Sequence, residues 1–144
     1  MLFYLLERAM RTAREGHLLA GAVELSLRYD DWKQLTARQA MDKPTDCDEQ
    51  AFAVVLRLLE QLYRRRVALR HVGVVLSRLA RAGADAELFA PREIYRSRDL
   101  HAALDEIRGR WGHAAVVSGE SIGLLGKLRQ DDYGFVLRTP SLTK

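Results

Sequence analysis

The chain has 144 residues, of which 23 are basic, 19 acidic and one cysteine, and 48% of it is hydrophobic. That length suits one domain with its own core, and the apolar share is too high for a disordered chain. A single cysteine excludes a disulfide scaffold, no Cys/His spacing suits zinc, and no apolar run approaches the roughly 18 residues of a membrane helix.

Met1 to Leu6 is apolar, but Glu7, Arg8, Arg11 and Arg14 follow at once, which is not the pattern of a secretion signal. The expectation is a soluble, cytoplasmic domain. Leu2, Leu5, Leu6, Ala9, Met10 and Ala13 recur at helical spacing, predicting a leading helix that stops at Gly16 or slightly later. After Gly21 the period becomes two: Val23, Leu25, Leu27 and Tyr29 alternate with Glu24, Ser26 and Arg28, a half-buried strand. Trp32 breaks phase after Asp30 and Asp31, which predicts a bulge or bend before the strand resumes from Leu35 to Met41 and is closed by Pro44.

Thr45 is placed to cap a second helix, with Phe52, Val55, Leu56, Leu59, Leu62 and Tyr63 as its apolar stripe. From Val67 to Leu79 strand chemistry returns, with Val72, Val74 and Leu76 on one face and Leu69, His71, Gly73, Val75 and Ser77 on the other. Ala86 to Ala90 reads as a third strand. A third helix follows, capped by Ser97 or beginning nearer Glu93; Leu100, Ala103, Leu104, Ile107 and Trp111 line one side, and Gly112 ends it. Ala114 to Ser118 reads as a fourth strand. Trp32 and Trp111 both fall within apolar patterns and are expected in the core.

This order predicts an α+β fold: a four-stranded sheet from two strand-helix-strand units, helices on one face, after an N-terminal helix. Residues 1–120 form the expected domain, with 1–16 as the leading helix; residues 121–144 read as an irregular tail. The uncovered sheet face is a binding surface. Charge suggests its partner. Gln61 to Ala84 holds six arginines (Arg64, Arg65, Arg66, Arg70, Arg78 and Arg81) and no acid, the footprint of a polyanion. Arg64 to Arg66 also read as a basic helix end that favours the helix dipole.

The segment His71-Val-Gly-Val-Val-Leu-Ser-Arg-Leu79 resembles the RxGVxxSxL strand in the little-finger (C-terminal, impB/mucB/samB-type) domain of Y-family translesion DNA polymerases. Leu27-Arg-Tyr-Asp-Asp-Trp-Lys33 is similar to that family's first strand, with its Y-x-D-[FW]-K ending. Pro44-Thr-Asp46 and Ala103-Leu-Asp-Glu-Ile-Arg108 followed by Arg110-Trp-Gly112 agree in the same order. The likeness spans about residues 1–122.

The resemblance implies a domain that holds primer-template duplex DNA beside a polymerase active site, its open sheet in the major groove and its contacts made to phosphates. It implies a bacterial, nucleoid-associated setting. Carried over by position, Lys33, Thr36, Arg38, Arg70, His71, Gly73, Ser77 and Arg78 are the DNA-binding candidates. Gly73 would let a sugar-phosphate backbone approach, or would pack a strand against a helix. Thr36-Ala-Arg-Gln39 has one arginine fewer than the family's T-R-S-R run, and Val75 stands where relatives carry a basic residue. Leu88 and Phe89 fall where bacterial relatives place a sliding-clamp peptide; they read first as core of the third strand and second as a clamp contact.

No catalytic role is expected of this chain. The family's chemistry needs palm-domain carboxylates holding magnesium, and this chain is not expected to have room for a palm before the helix predicted to open at Leu2. Asp30-Asp31 and Asp131-Asp132 are adjacent pairs, read as solvated turns, and no cofactor is expected in the chain itself. The parent would be a DNA-directed DNA polymerase. The rival readings are a protein-interaction or ligand-sensing module on the same scaffold, or the end of an inactive polymerase-like accessory protein, because fold alone does not dictate function.

Overall fold

The computed structural model describes residues 1–81 and 92–125, and the chain divides into two compact units. Within the described residues, one unit carries the strands, the second helix and nearly all of the first; the other begins at Arg92. The expected third strand at 86–90, with Leu88 and Phe89, lies outside the described residues, as does the tail from 126 onward.

In the first unit, α1 runs Leu2–Glu15 and turns its Leu6 and Met10 into the core. It ends as expected near Gly16, but His17 is the residue that adopts the left-handed backbone, at φ 52°. The chain then enters β1 (Leu18–Tyr29) and returns antiparallel as β2 (Gln34–Thr45). The bulge or bend expected at Trp32 is a bend tight enough to make a hairpin. Tyr29 N–H donates to the Lys33 carbonyl (2.9 Å) and Trp32 N–H to that of Tyr29 (3.0 Å), closing the turn across Asp30–Lys33. A phase break marks a reversal as readily as a bulge, and alternation alone does not separate them.

Pro44 lies inside β2 rather than closing it. It falls between Ala40 and Thr45, where the register with β1 shifts, a place in an edge strand that tolerates a residue without an N–H. Nor does Thr45 cap the helix. The N-cap of α2 (Asp48–Leu62) is Cys47, and the Thr45 hydroxyl accepts the Cys47 N–H at 3.1 Å. Asp48 then anchors the start of α2 to α1 through Arg14 Nη1 at 2.6 Å, a pair in which the carboxylate is almost fully buried.

The buried stripe of α2 is Ala51, Val54, Val55, Leu58 and Leu62, about one residue out of phase with the expected one. Phe52 and Leu59 only flank the core, while Leu56 and Tyr63 are exposed. The helix is apolar on most of its circumference, so its sequence contains two acceptable stripes and packing selects one.

β3 (Leu69–Ser77) pairs antiparallel with β1 on the side away from β2. A short β4 (Ala80–Arg81), not foreseen, continues along β1 opposite Leu18 and Leu19. The sheet thus has four antiparallel strands, in the α+β class expected, with α1 and α2 contributing to the core on one face. Between β3 and β4 the chain kinks at Arg78, whose φ is 51°. Gly21 allows this: a Cβ there would fall 2.6 Å from the Arg78 carbonyl oxygen.

In the second unit, α3 (Arg92–Trp111) starts next to Glu93, as the second reading expected, leaving Ser97 inside it rather than at its cap, and Gly112 ends it at φ 86°. The apolar side expected of α3 faces outward: Leu100, Ile107 and Trp111 are exposed, while His101 and Arg108 are buried. Arg108 gains from this by donating Nε to the Val116 carbonyl at 2.9 Å. The strand expected at 114–118 is instead a 3-10 turn, His113–Ala115, in which Ala115 N–H donates to the Gly112 carbonyl (3.1 Å). Helical turns Gly119–Ser121 and α4 (Ile122–Leu125) follow.

Candidate nucleic-acid interface

Strand alternation sorts the first unit's side chains onto two faces. On β1, Val23, Leu25, Leu27 and Tyr29 are fully buried, so Ala22, Glu24, Ser26 and Arg28 belong to the opposite face. The register carries this across the sheet. Ala40, Arg38, Thr36 and Gln34 of β2 stand opposite Ala22, Glu24, Ser26 and Arg28, and Ser77, Val75, Gly73 and His71 of β3 stand opposite the same four. Thr36, Arg38, Ala40, His71 and Val75 are exposed, with Val75 half open to solvent at 50%. The face is polar, small in side chain at its centre, and carries Arg28, Arg38 and His71 against one acid, Glu24.

Of the eight candidates, five share this face: Thr36, Arg38, His71, Gly73 and Ser77. The other three sit at its ends. Lys33 closes the hairpin turn, its N–H donating to Asp31 Oδ1 at 3.3 Å. Arg70 is the extra residue of a bulge, since Arg28 pairs with His71 but Tyr29 with Leu69. Arg78 occupies the kink before β4.

The surroundings of Gly73 remove one of its two sequence readings. A Cβ there would meet the Ser26 hydroxyl at 2.7 Å and no helix atom within 4 Å. Packing against a helix is therefore excluded. The glycine lies on the open face, where Ser26 Oγ donates to its carbonyl at 3.4 Å.

At the hairpin end the charges are interlocked. Arg65 grips Asp31 with both terminal nitrogens, Nη1 to Oδ1 at 3.1 Å and Nη2 to Oδ2 at 2.5 Å. These bonds hold the Asp31 carboxyl below its ordinary 3.8, with the Lys33 N–H assisting. Arg65 lies beyond the end of α2, so it serves the hairpin rather than that helix's dipole. Its guanidinium also stacks over the Tyr29 ring at 4.9 Å, and the Tyr29 hydroxyl donates to the Leu62 carbonyl at 3.0 Å. Asp30 faces Arg70 across 3.6 Å, an exposed pair. Asp30 and Asp31 are thus turn residues, as expected.

Trp32, expected in the core, is 65% exposed, and Trp111 is 76% exposed. Its place in the hairpin turn leaves Trp32 outside the core. Sequence reasoning had set Arg28 on the polar face without counting it as a site residue, because only register shows it beside His71.

This arrangement accompanies a match to the model of the impB/mucB/samB family C-terminal domain over residues 1–88. The chain belongs to that family. The little-finger resemblance drawn from the motifs is thereby borne out, and the matched stretch contains all the strands of the sheet. Curated proteins similar to this family member are named DNA polymerase IV. The one from Pelotomaculum thermopropionicum is 32% identical over 127 residues, covering 88% of this chain and 31% of the relative. That from Caulobacter vibrioides is 33% identical over 122 residues, covering 84% and 30%. That from Desulfatibacillum aliphaticivorans is 30% identical over 118 residues, covering 80% and 30%. The chain spans about a third of the length of these relatives. Among the described residues, no helix is long and apolar enough to cross a membrane.

Proposed function

We propose that this chain is the non-catalytic DNA-holding domain of a translesion DNA polymerase, gripping the primer-template duplex by its phosphates during damage bypass and repair. The observation that carries the reading is the open sheet face, with Thr36, Arg38, Ala40, His71 and Val75 exposed: small or polar at the centre, it has Arg28, Lys33, Arg38, Arg70 and Arg78 on it or at its ends, against Glu24 on the face and Asp30 and Asp31 at the hairpin. Contacts of this kind position a duplex without reading bases. That suits an enzyme whose template is damaged. The names of the relatives support the same reading, and metal-dependent nucleotidyl transfer on magnesium would belong to the parts of such a polymerase outside this domain.

Fluorescence anisotropy with labelled primer-template DNA tests it. If each of the five cations neutralises one phosphate, the logarithm of affinity falls with log salt at a slope approaching about −4.5. Affinity is indifferent to base sequence. Undetectable binding at about 50 mM salt, or binding with no salt dependence, would sink the proposal.

A further inference from the structure

Trp32 combines two features that its turn does not require. Its backbone is left-handed, at φ 66°, a conformation that favours glycine and strains a bulky side chain, and its ring is 65% exposed. Neither core packing nor turn geometry accounts for an indole here. What the ring does is collect arginines. The Arg70 guanidinium lies 4.6 Å from its centroid and that of Arg28 5.6 Å. One comes from the bulge of β3, the other from the open face of the central strand.

Two guanidinium groups brought this close repel each other, and the ring's negative face offsets that repulsion. Stacking also fixes the plane of a guanidinium without spending its N–H donors, which all lie in that plane. Of the donors of Arg28, the buried Nε has no hydrogen-bond partner among the described residues. Nearby acid is scarce. Asp31 is engaged by Arg65, and Asp30 reaches only Arg70, across 3.6 Å. Arg28, Lys33, Arg65 and Arg70 therefore outnumber the two carboxylates at this end of the face.

We propose that Trp32 is a positioning residue that holds Arg28 and Arg70 as a paired phosphate-binding site at the hairpin end of the sheet, its ligand the phosphodiester backbone of DNA. This rests on the DNA-holding reading and adds two residues to it. An exposed aromatic on a nucleic-acid surface is usually a platform for bases. Here arginines already occupy the ring, so its service is to them.

The test uses the full chain carrying Trp111→Phe, so that Trp32 is the only remaining tryptophan. Labelled primer-template DNA is titrated with this chain and with its Trp32 variants while the anisotropy of the DNA is followed. Trp32→Gly removes the ring and relieves the backbone, so it leaves the turn intact. It binds about 5- to 10-fold more weakly at about 50 mM salt, with a salt slope shallower by about one to two units. Trp32→Phe, which keeps an aromatic face, recovers much of both. Arg70→Ala weakens binding less in the Trp32→Gly chain than in its parent, since the two changes remove one shared site.

Several results overturn the inference while leaving the DNA-holding reading intact. They are equal binding by Trp32→Gly and its parent, no recovery by Trp32→Phe, or an Arg70→Ala effect of the same size in both chains. Absence of salt-dependent binding in the parent chain would instead refute the DNA-holding reading, and this inference with it.

Discussion

Replacing Gly73 with alanine separates the packing of the sheet from its proposed use. The new methyl group would project from the open face 2.7 Å from Ser26 Oγ and 3.6 Å from His71 Nε2. The first contact is too close, but the obstacle is a hydroxyl that can rotate to another staggered position. Rotation gives up a long 3.4 Å hydrogen bond, worth about 0.5 kcal/mol. Against this, alanine narrows the unfolded ensemble and contributes roughly 0.4–1 kcal/mol to stability. The two nearly cancel, so thermal unfolding should move by less than about 4 °C. DNA binding should not escape. A methyl group stands where a sugar-phosphate backbone would approach the strand, and losing one such contact weakens affinity about 3- to 10-fold in the anisotropy titration. Stability and affinity are thus expected to part company. If Gly73→Ala lowered the melting temperature sharply, the glycine would be a packing residue; if it bound DNA unchanged, no backbone approaches there.

Gly21→Ala should behave in the opposite way, because its Cβ would meet the Arg78 backbone carbonyl at 2.6 Å and backbone cannot swing aside; a loss of about 1–3 kcal/mol in urea unfolding is expected. Arg78→Gly should raise stability by about 0.5–1 kcal/mol by relieving a left-handed arginine, yet weaken DNA binding by removing a cation, two opposite signs read from denaturation and anisotropy. Tyr29→Phe deletes the buried hydrogen bond to the Leu62 carbonyl and should cost about 1 kcal/mol, a fall of roughly 4–8 °C in melting temperature. The Asp31–Arg65 pair has a pH signature. Since the folded chain lowers the Asp31 pKa, the pair stabilises above the ordinary 3.8 and loses its effect as pH falls through the lowered value, so the melting-temperature gap to Asp31→Asn should close on acidification.

The alternation of Val23 to Tyr29 and of His71 to Ser77 made both faces of two strands legible before any coordinates. A side-chain period of two cannot be mistaken when one face is uniformly apolar. Thr36, Arg38, His71, Gly73 and Ser77 fell on one surface for the same reason. The second helix was legible as a helix but not in its phase, since Phe52, Leu56 and Tyr63 form as apolar a stripe as the one buried. In α3, Trp111 and Ile107 looked like core and are exposed, while Arg108 is buried by bonding a carbonyl eight residues on. Apolar pattern reports which residues can be buried; what lies opposite settles which are.

By itself the chain of residues determined its class, its helices, the two-sided character of its strands and the family to which its collinear motifs belong. Each of those follows from local chemistry: periodicity, charge and the shape of a few side chains. Tertiary structure alone decided that, of the bulge or bend open at Trp32, the chain makes a full reversal, that Arg28 stands beside His71, and that Gly21 rather than Gly73 is where the chain's own backbone presses close. The last two are facts of register and approach between segments some 40 to 60 residues apart in sequence, whose distance no local preference encodes; the first turns on the antiparallel pairing of the strands on either side of the turn.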